Sequence, residues 1–290
     1  MKRKIFSILF GILFLAGFGI LAYPTVSNQW NTYRQSKLIS NYKEVTKNID
    51  TEDFEKEWAK AEHYNDSITV NQPMSGDVFN ESGKEDKNSA YWNVLNLSGD
   101  GIMGYISIPK INVELAIYHG TSDDVLQTGV GHIEGTKLPI GGEGNHTVLA
   151  AHRGLPSARL FTDLDQLVEG DKFYIHILDQ VLAYQVDQIL PMVDKDDTEA
   201  LEQAMQIEEG QDYVTLFTCT PYGVNTHRLL VRGTRVEYNG QEDTPQTPAE
   251  SVKNIVQDYY MFFLIGGVAV TVIAIGVIRI CMNRKRRKEK

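Results

Sequence analysis

A mainly β domain, a barrel or sandwich, tethered by two membrane-spanning helices is the fold class this sequence predicts. Three observations predict it. Short apolar runs of strand length, punctuated by Gly and Pro turns, fill the stretch from Gly104 to Tyr238. Two long runs without a charge stand near the two ends. The composition, 42% hydrophobic and 23% charged over 290 residues, is that of a folded chain and excludes collagen-like, low-complexity or wholly disordered classes.

The elements follow in order. Residues 1–4 form a short basic cytoplasmic end with Lys2, Arg3 and Lys4. Ile5 to Ala22 is an 18-residue uncharged run, predicted to be a transmembrane anchor. A cleaved secretory signal is the competing reading, but Ile20 would occupy the −3 position of a site after Ala22 and spoil it. Residues 23–100 make an extracellular helical segment and loop. Trp30, Tyr33, Leu38 and Tyr42 recur at roughly helical spacing. A second helix starts near Asp50 or Thr51, which can cap it, with Glu52 and Asp53 in its first turn and Phe54, Trp58 and Ala61 as its stripe. Residues 67–100, with Gly76, Gly83 and Gly99, read as a long loop, a lid or a linker.

Residues 101–240 are the predicted barrel. GYISIPKI, VELAIYH, HTVLAAH, KFYIHIL, VLAYQVDQI, DYVTLFTC and HRLLVRGTRVEY are β-branched or alternating runs, so seven or eight strands are expected, with short helices at Ala158–Leu167 and Thr198–Gln206. Residues 241–258, with Pro245 and Pro248, read as a polar linker. Tyr259 to Ile278 is a second 20-residue uncharged span, and residues 279–290 are a basic cytoplasmic tail. Both basic clusters flank the spans on their outer ends, so both termini are expected in the cytoplasm and residues 23–258 outside. Cys281, just past the second span, reads as an ordinary juxtamembrane cysteine, with palmitoylation as the rarer alternative.

The charge divides in the same way. Of 28 basic residues 10 lie at the tips, and of 38 acidic residues 1 does, so the middle carries 18 − 37 = −19 and the tips +9. An acidic middle argues against nucleic acid as a partner, because phosphate contacts need a basic face. Two cysteines, Cys219 and Cys281, cannot staple a small fold, so Cys219 reads as a free thiol.

Three residues of the barrel region carry chemistry. Cys219 ends the strand Asp212–Cys219, Arg228 opens the next, and a Pro221-Tyr222-Gly223 turn signal lies between. A hairpin there brings the two side chains to within roughly 5–8 Å. His152 ends the strand Thr147–Ala151. A thiol of ordinary pKa, about 8.5, is mostly protonated at neutral pH, and a neighbouring cation favours the thiolate. A guanidinium also stabilises an oxyanion, and an imidazole protonates a leaving amine, so the set suffices for acyl transfer. Spacing alone leaves alternatives open. A free cysteine ending a strand, such as Cys219, is most often buried core, His227 can replace His152, and Cys219, His227 and His152 make a conceivable zinc set that lacks a close ligand pair.

TLFTCTPYGVNTHRLLVRG, from Thr215 to Gly233, resembles the signature of the sortases, in particular the pilus-assembling class C. GYISIPKI, YHGT, GVGHIEGTKLPIGG and AAHRGLPSARLFTDL resemble that class too, so the likeness covers about Gly101–Tyr238 and extends to the two-anchor topology. It implies an eight-stranded sortase-type β-barrel with Cys219 as nucleophile, His152 as general acid/base and Arg228 as the substrate-positioning, oxyanion-stabilising residue. It also implies cleavage of an LPXTG-type signal between Thr and Gly through a thioester, transfer to a lysine of a pilin subunit, and no metal or cofactor. Class C members carry a lid anchored by an Asp-Pro-aromatic motif. Asp77 and Phe79 match it, whereas Val78 departs from the proline and fixes φ less firmly. Attachment of proteins to cell-wall peptidoglycan is the alternative within the family, and a non-enzymatic surface receptor or scaffold the alternative outside it.

Overall fold

The computed structural model describes residues 2–69, 78–79, 89–244 and 266. The lid residue Asp77, the linker from 245 on and the basic tail lie outside them, as does the second span apart from Gly266. Among the described residues one helix is long and apolar enough to cross a membrane, and it is the N-terminal one.

That helix, α1 (Lys2–Asn48), runs without a break through the boundary expected at residue 22, with Pro24 in its interior. Its far end docks on the barrel. Tyr42 donates its hydroxyl to Met103 O at 2.9 Å and accepts from Leu178 N at 2.7 Å. Helix α2 (Thr51–Ser67) starts where the sequence places it, because Asp50 Oδ1 accepts from Asp53 N at 2.8 Å and caps the first turn. Asn65 binds it to the domain: its amide accepts from Leu138 N at 2.7 Å and donates to Asn145 Oδ1 at 3.1 Å.

Eight strands close into a barrel: β1 (Ile102–Ile108), β2 (Val113–His119), β3 (Val130–His132), β4 (Asn145–Ala150), β5 (Lys172–Ile177), β6 (Gln180–Asp194), β7 (Asp212–Thr220) and β8 (His227–Val236), in the order β1-β2-β3-β4-β7-β8-β6-β5. The β2/β3 and β4/β7 pairs are parallel and the others antiparallel. Closure leaves no open edge. Strand β3 escapes the sequence reading because three residues, Val-Gly-His, carry no periodicity. Helix α3 (Asp123–Leu126) was not expected either, whereas α4 (Thr198–Ala204) lies where its pattern predicts. The helix expected over Ala158–Leu167 is a correction: only Leu164–Gln166 is helical, as a single 3₁₀ turn. Ala158 forms a β-bridge with Leu155 and Leu160 takes a left-handed φ of 43°, so a helix cannot run through the segment.

Strands β4 and β7 are buried on both faces. Leu149, Leu216, Leu229 and Val231 point into the barrel core with Phe173 and Ile106. The alternate residues Val148, Ala150, Phe217 and Leu230 face outward and are covered by Leu126 of α3 and Leu201 of α4, with Met205 just beyond it. This explains why these strands read as continuous apolar runs. The start of the linker is held as well: Glu242 accepts from Ser107 Oγ at 2.6 Å and lies 2.8 Å from His176 Nε2.

Candidate functional site

The outward face of β4, β7 and β8 ends in the three residues that the sequence singles out. Cys219 and Arg228 are direct partners across the β7/β8 ladder. Opposed residues point to one side of a sheet, so thiol and guanidinium share a face with Phe217 and Leu230. Both are buried, at 3% and 1% exposure, although one is an arginine.

His152 reaches the same place from the parallel side. Ala150 of β4 is paired with Phe217 of β7. Beyond that pair Ala151 N donates to Phe217 O at 3.2 Å, and Thr218 Oγ1 donates to Ala151 O at 2.7 Å. His152 thus follows Ala150 by two residues just as Cys219 follows Phe217 by two, and strand alternation returns both to the outward face. Phe161 N donates to His152 O at 3.2 Å and pins its backbone. His227 is opposed to Thr220, one step out of phase with Arg228, so it faces the other side of the sheet. No group of three His, Cys, Asp or Glu side chains suited to a metal is found among the described residues.

The turn between β7 and β8 orients the guanidinium. Its Thr220-Pro221 peptide is cis, and Pro221 O accepts from both Val224 N and Asn225 N at 3.0 Å. Asn225 takes a left-handed φ of 62°. Arg228 Nη1 then donates to Asn225 O at 3.0 Å and His227 O at 2.8 Å. Burial pushes the His152 imidazole below its ordinary value of 6.5, with the Asp123 carboxylate pulling the other way, so the ring is neutral at neutral pH.

Phe79 covers this arrangement. Its ring stacks on Phe217 at 5.7 Å between centroids, lies 5.2 Å from the His152 ring, and sits 5.3 Å from the Arg228 guanidinium carbon. Val78 packs beside it on the outer cluster.

Arg153 was missed by sequence reasoning. Its Nε donates to Thr162 O at 3.1 Å and its Nη1 to Thr220 Oγ1 at 3.1 Å, while Nη2 pairs with the Asp165 carboxylate. It thereby ties the residue after Cys219 to the loop that follows His152. An arginine beside the histidine was visible in the sequence, but its partner lies 67 residues away and no spacing rule reaches it.

Comparison with known proteins agrees with this geometry. A family model described as the sortase domain matches residues 106–236. Sortase A of Bacillus anthracis is 26% identical over 232 residues, covering 80% of this chain and 95% of that protein. The crystal structure of Streptococcus pneumoniae sortase C, described with reference to pilin substrate specificity, is 44% identical with a TM-score of 0.61 over 71% of this chain and 100% of that one. Sortase C1 from Streptococcus agalactiae is 48% identical with a TM-score of 0.60 over 70% of this chain and 100% of its own. Barrel order, site geometry and these likenesses converge: the chain belongs to the sortase family of cysteine transpeptidases, with class C pilus sortases as its structural neighbours.

Proposed function

We propose that this chain is a membrane-anchored pilus-assembling transpeptidase that cleaves LPXTG-type signals between Thr and Gly and joins the new acyl end to a lysine amine of a pilin subunit. The observation that carries the reading is the convergence of Cys219, Arg228 and the His152 position on one face of three adjacent strands. The pilin specificity named for the Streptococcus pneumoniae neighbour supports the substrate class.

The chemistry follows from the side chains. Arg228 holds negative charge on the Cys219 sulfur, and neutral His152 is ready to accept the thiol proton. The thiolate adds to the Thr carbonyl, and the guanidinium receives the developing oxyanion. The Thr–Gly C–N bond breaks, and His152, now an imidazolium, gives its proton to the departing amine. A lysine amine then adds to the thioester and yields a proton to His152, and the sulfur leaves as thiolate. Phe79, with Asp77 as its partner in the lid, covers the thiol until a substrate displaces them. The apolar α1 serves as the anchor, with residues 23–258 outside and the Tyr259–Ile278 span returning the chain.

The test is Cys219→Ala in the full chain, with pilin subunits as substrate. Loss of both the acyl-enzyme mass and the pilin ladder, with an unchanged melting transition, is expected. Polymers built by the variant would sink the assignment. Mass spectrometry of the wild-type product decides the acceptor: a wall-peptide amine in place of a pilin lysine would overturn the pilus reading.

A further inference from the structure

Helix α1 carries a face that neither the barrel nor the proposed chemistry uses. Between Lys4 and Arg34 the sequence holds no charged residue, a run of 33 − 4 = 29. As a helix this run spans ~43 Å at ~1.5 Å per residue, the thickness of a bilayer with both headgroup layers rather than of its hydrocarbon alone. Its outer end is uncharged and presents one bare face of apolar and aromatic side chains: Tyr23, Val26, Trp30 and Tyr33 are 55%, 65%, 63% and 54% exposed. At ~100° per residue the four fall within about 80° of arc. The Trp30 and Tyr33 rings meet at 5.8 Å, and the Lys37 ammonium lies 5.8 Å from the Tyr33 ring.

Another side of the same turns is bonded to the barrel domain. Ser27 Oγ donates to Ser157 O at 3.1 Å, and Asn28 Oδ1 accepts from Arg159 N at 2.9 Å. Two turns further, Gln35 donates to Thr128 O at 2.6 Å and accepts from Ala116 N at 2.9 Å. Ser157 and Arg159 belong to the loop that begins at His152, and the loop's segment Gly154–Ala158 is itself uncharged. The contacts therefore join the aromatic end of the apolar run to the loop beside the candidate site.

We infer that the outer headgroup layer of the membrane covers the Tyr23–Tyr33 face, and that Ser27 and Asn28 hold the loop after His152 at the level of that layer. This rests on reading α1 as an uncleaved anchor. Tyr and Trp favour that zone because an apolar ring and a polar N–H or O–H are satisfied together there. The first charges after the run, Arg34 and Lys37, then reach water or lipid phosphate. A second copy of the chain on the same face would hide the rings equally, but it would not explain why the charge-free run matches a whole bilayer and ends in aromatics.

The test places the full chain in phosphatidylcholine/phosphatidylglycerol vesicles. Co-flotation reports insertion by either span, and the intact mass of the floated protein reports whether α1 is retained uncleaved. Quenching by lipids brominated just below the carbonyls, compared with lipids brominated near the chain ends, reports depth, and the difference between wild type and Trp30→Phe isolates Trp30 from the other tryptophans. The result expected is co-flotation with loss of about half of the Trp30 emission to the shallow bromines and little to the deep ones. Co-flotation at the full-length mass with Trp30 unquenched overturns the seat and leaves the uncleaved anchor standing. Disulfide-linked dimers of a Trp30→Cys variant in a Cys281→Ser background, formed in vesicles while wild-type Trp30 stays unquenched, overturn it in favour of a second copy. Absence of co-flotation overturns the anchor and the seat together.

Discussion

Removing the Phe79 ring should uncover the thiol. The ring is half-buried against Phe217, His152 and the Arg228 guanidinium. Full burial of a Phe is worth up to ~3 kcal/mol, so about half that applies here. The stacked pair and the cation–ring contact add ~0.5 kcal/mol each at partly exposed sites. Phe79→Ala therefore weakens the closed state by about 2.5 kcal/mol, or roughly sixtyfold in the ratio of open to closed at ~1.4 kcal/mol per tenfold. The assay is the rate at which a small thiol reagent labels Cys219, with Cys281→Ser removing the second thiol. Rates are compared on the high-pH plateau, so that a change in thiolate fraction does not masquerade as opening. A rise of roughly sixtyfold is expected, with Phe79→Leu between the extremes. Equal rates for wild type and Phe79→Ala, with melting transitions unchanged, would refute the reasoning that this ring closes the site.

Arg153→Met should release Thr220 and the loop after His152, lowering kcat by up to about a hundredfold with KM little changed, since misplacement of about 1 Å costs that much. Arg153→Lys should recover part of the loss, and steady-state kinetics with an LPXTG peptide decide it. Burial pushes His132 down to about 3 and His146 to about 4. Between those values and 6.5 the unfolded chain binds protons that the folded chain refuses, so stability falls as pH drops through that window, by about 1.4 kcal/mol per pH unit for each ring. Melting curves from pH 7 to pH 4 should show this, and His146→Gln should flatten it. Gly104→Ala places a Cβ 2.3 Å from His176 O and 2.4 Å from Ile177 Cδ1. It should cost ~2–3 kcal/mol and lower the melting temperature, because the backbone of β5 cannot retreat without losing its ladder with β1.

Much of this was legible in the sequence because apolar alternation records what each strand buries. Seven strands, the Asp50 cap and α4 follow from local pattern. Cys219 and Arg228 were legible as a pair because a short turn joins their strands, so local sequence determines their register. His152 was legible as a strand end but not as their neighbour, since a parallel pairing between residues 145–150 and 212–217 is a long-range fact. Strand β3 was hidden by its length, and Arg153 by the distance to its partners. His119 shows the same limit. It is fully buried, with ring nitrogens 2.9 and 2.8 Å from Gly101 O and Val94 O, partners that no periodicity announces.

The shared phase of β4, β7 and β8 has a consequence for how this site tolerates change. Ladder positions decide which side of the sheet Cys219 and Arg228 face, and the loops that leave the strands decide the finer placement of the guanidinium and of His152. The turn from Pro221 to Thr226 and the excursion between β4 and β5 can therefore vary only away from Asn225, which holds the guanidinium, and away from Arg153, Phe161 and Thr162, which hold the backbone around His152. A single residue inserted within β7 below Cys219 would be different in kind, for it would turn the thiol into the barrel core and leave the loops intact. Strand β7 therefore accepts substitution but not insertion below Cys219, whereas β6, which carries no reacting group, already takes up extra residues as bulges against β8.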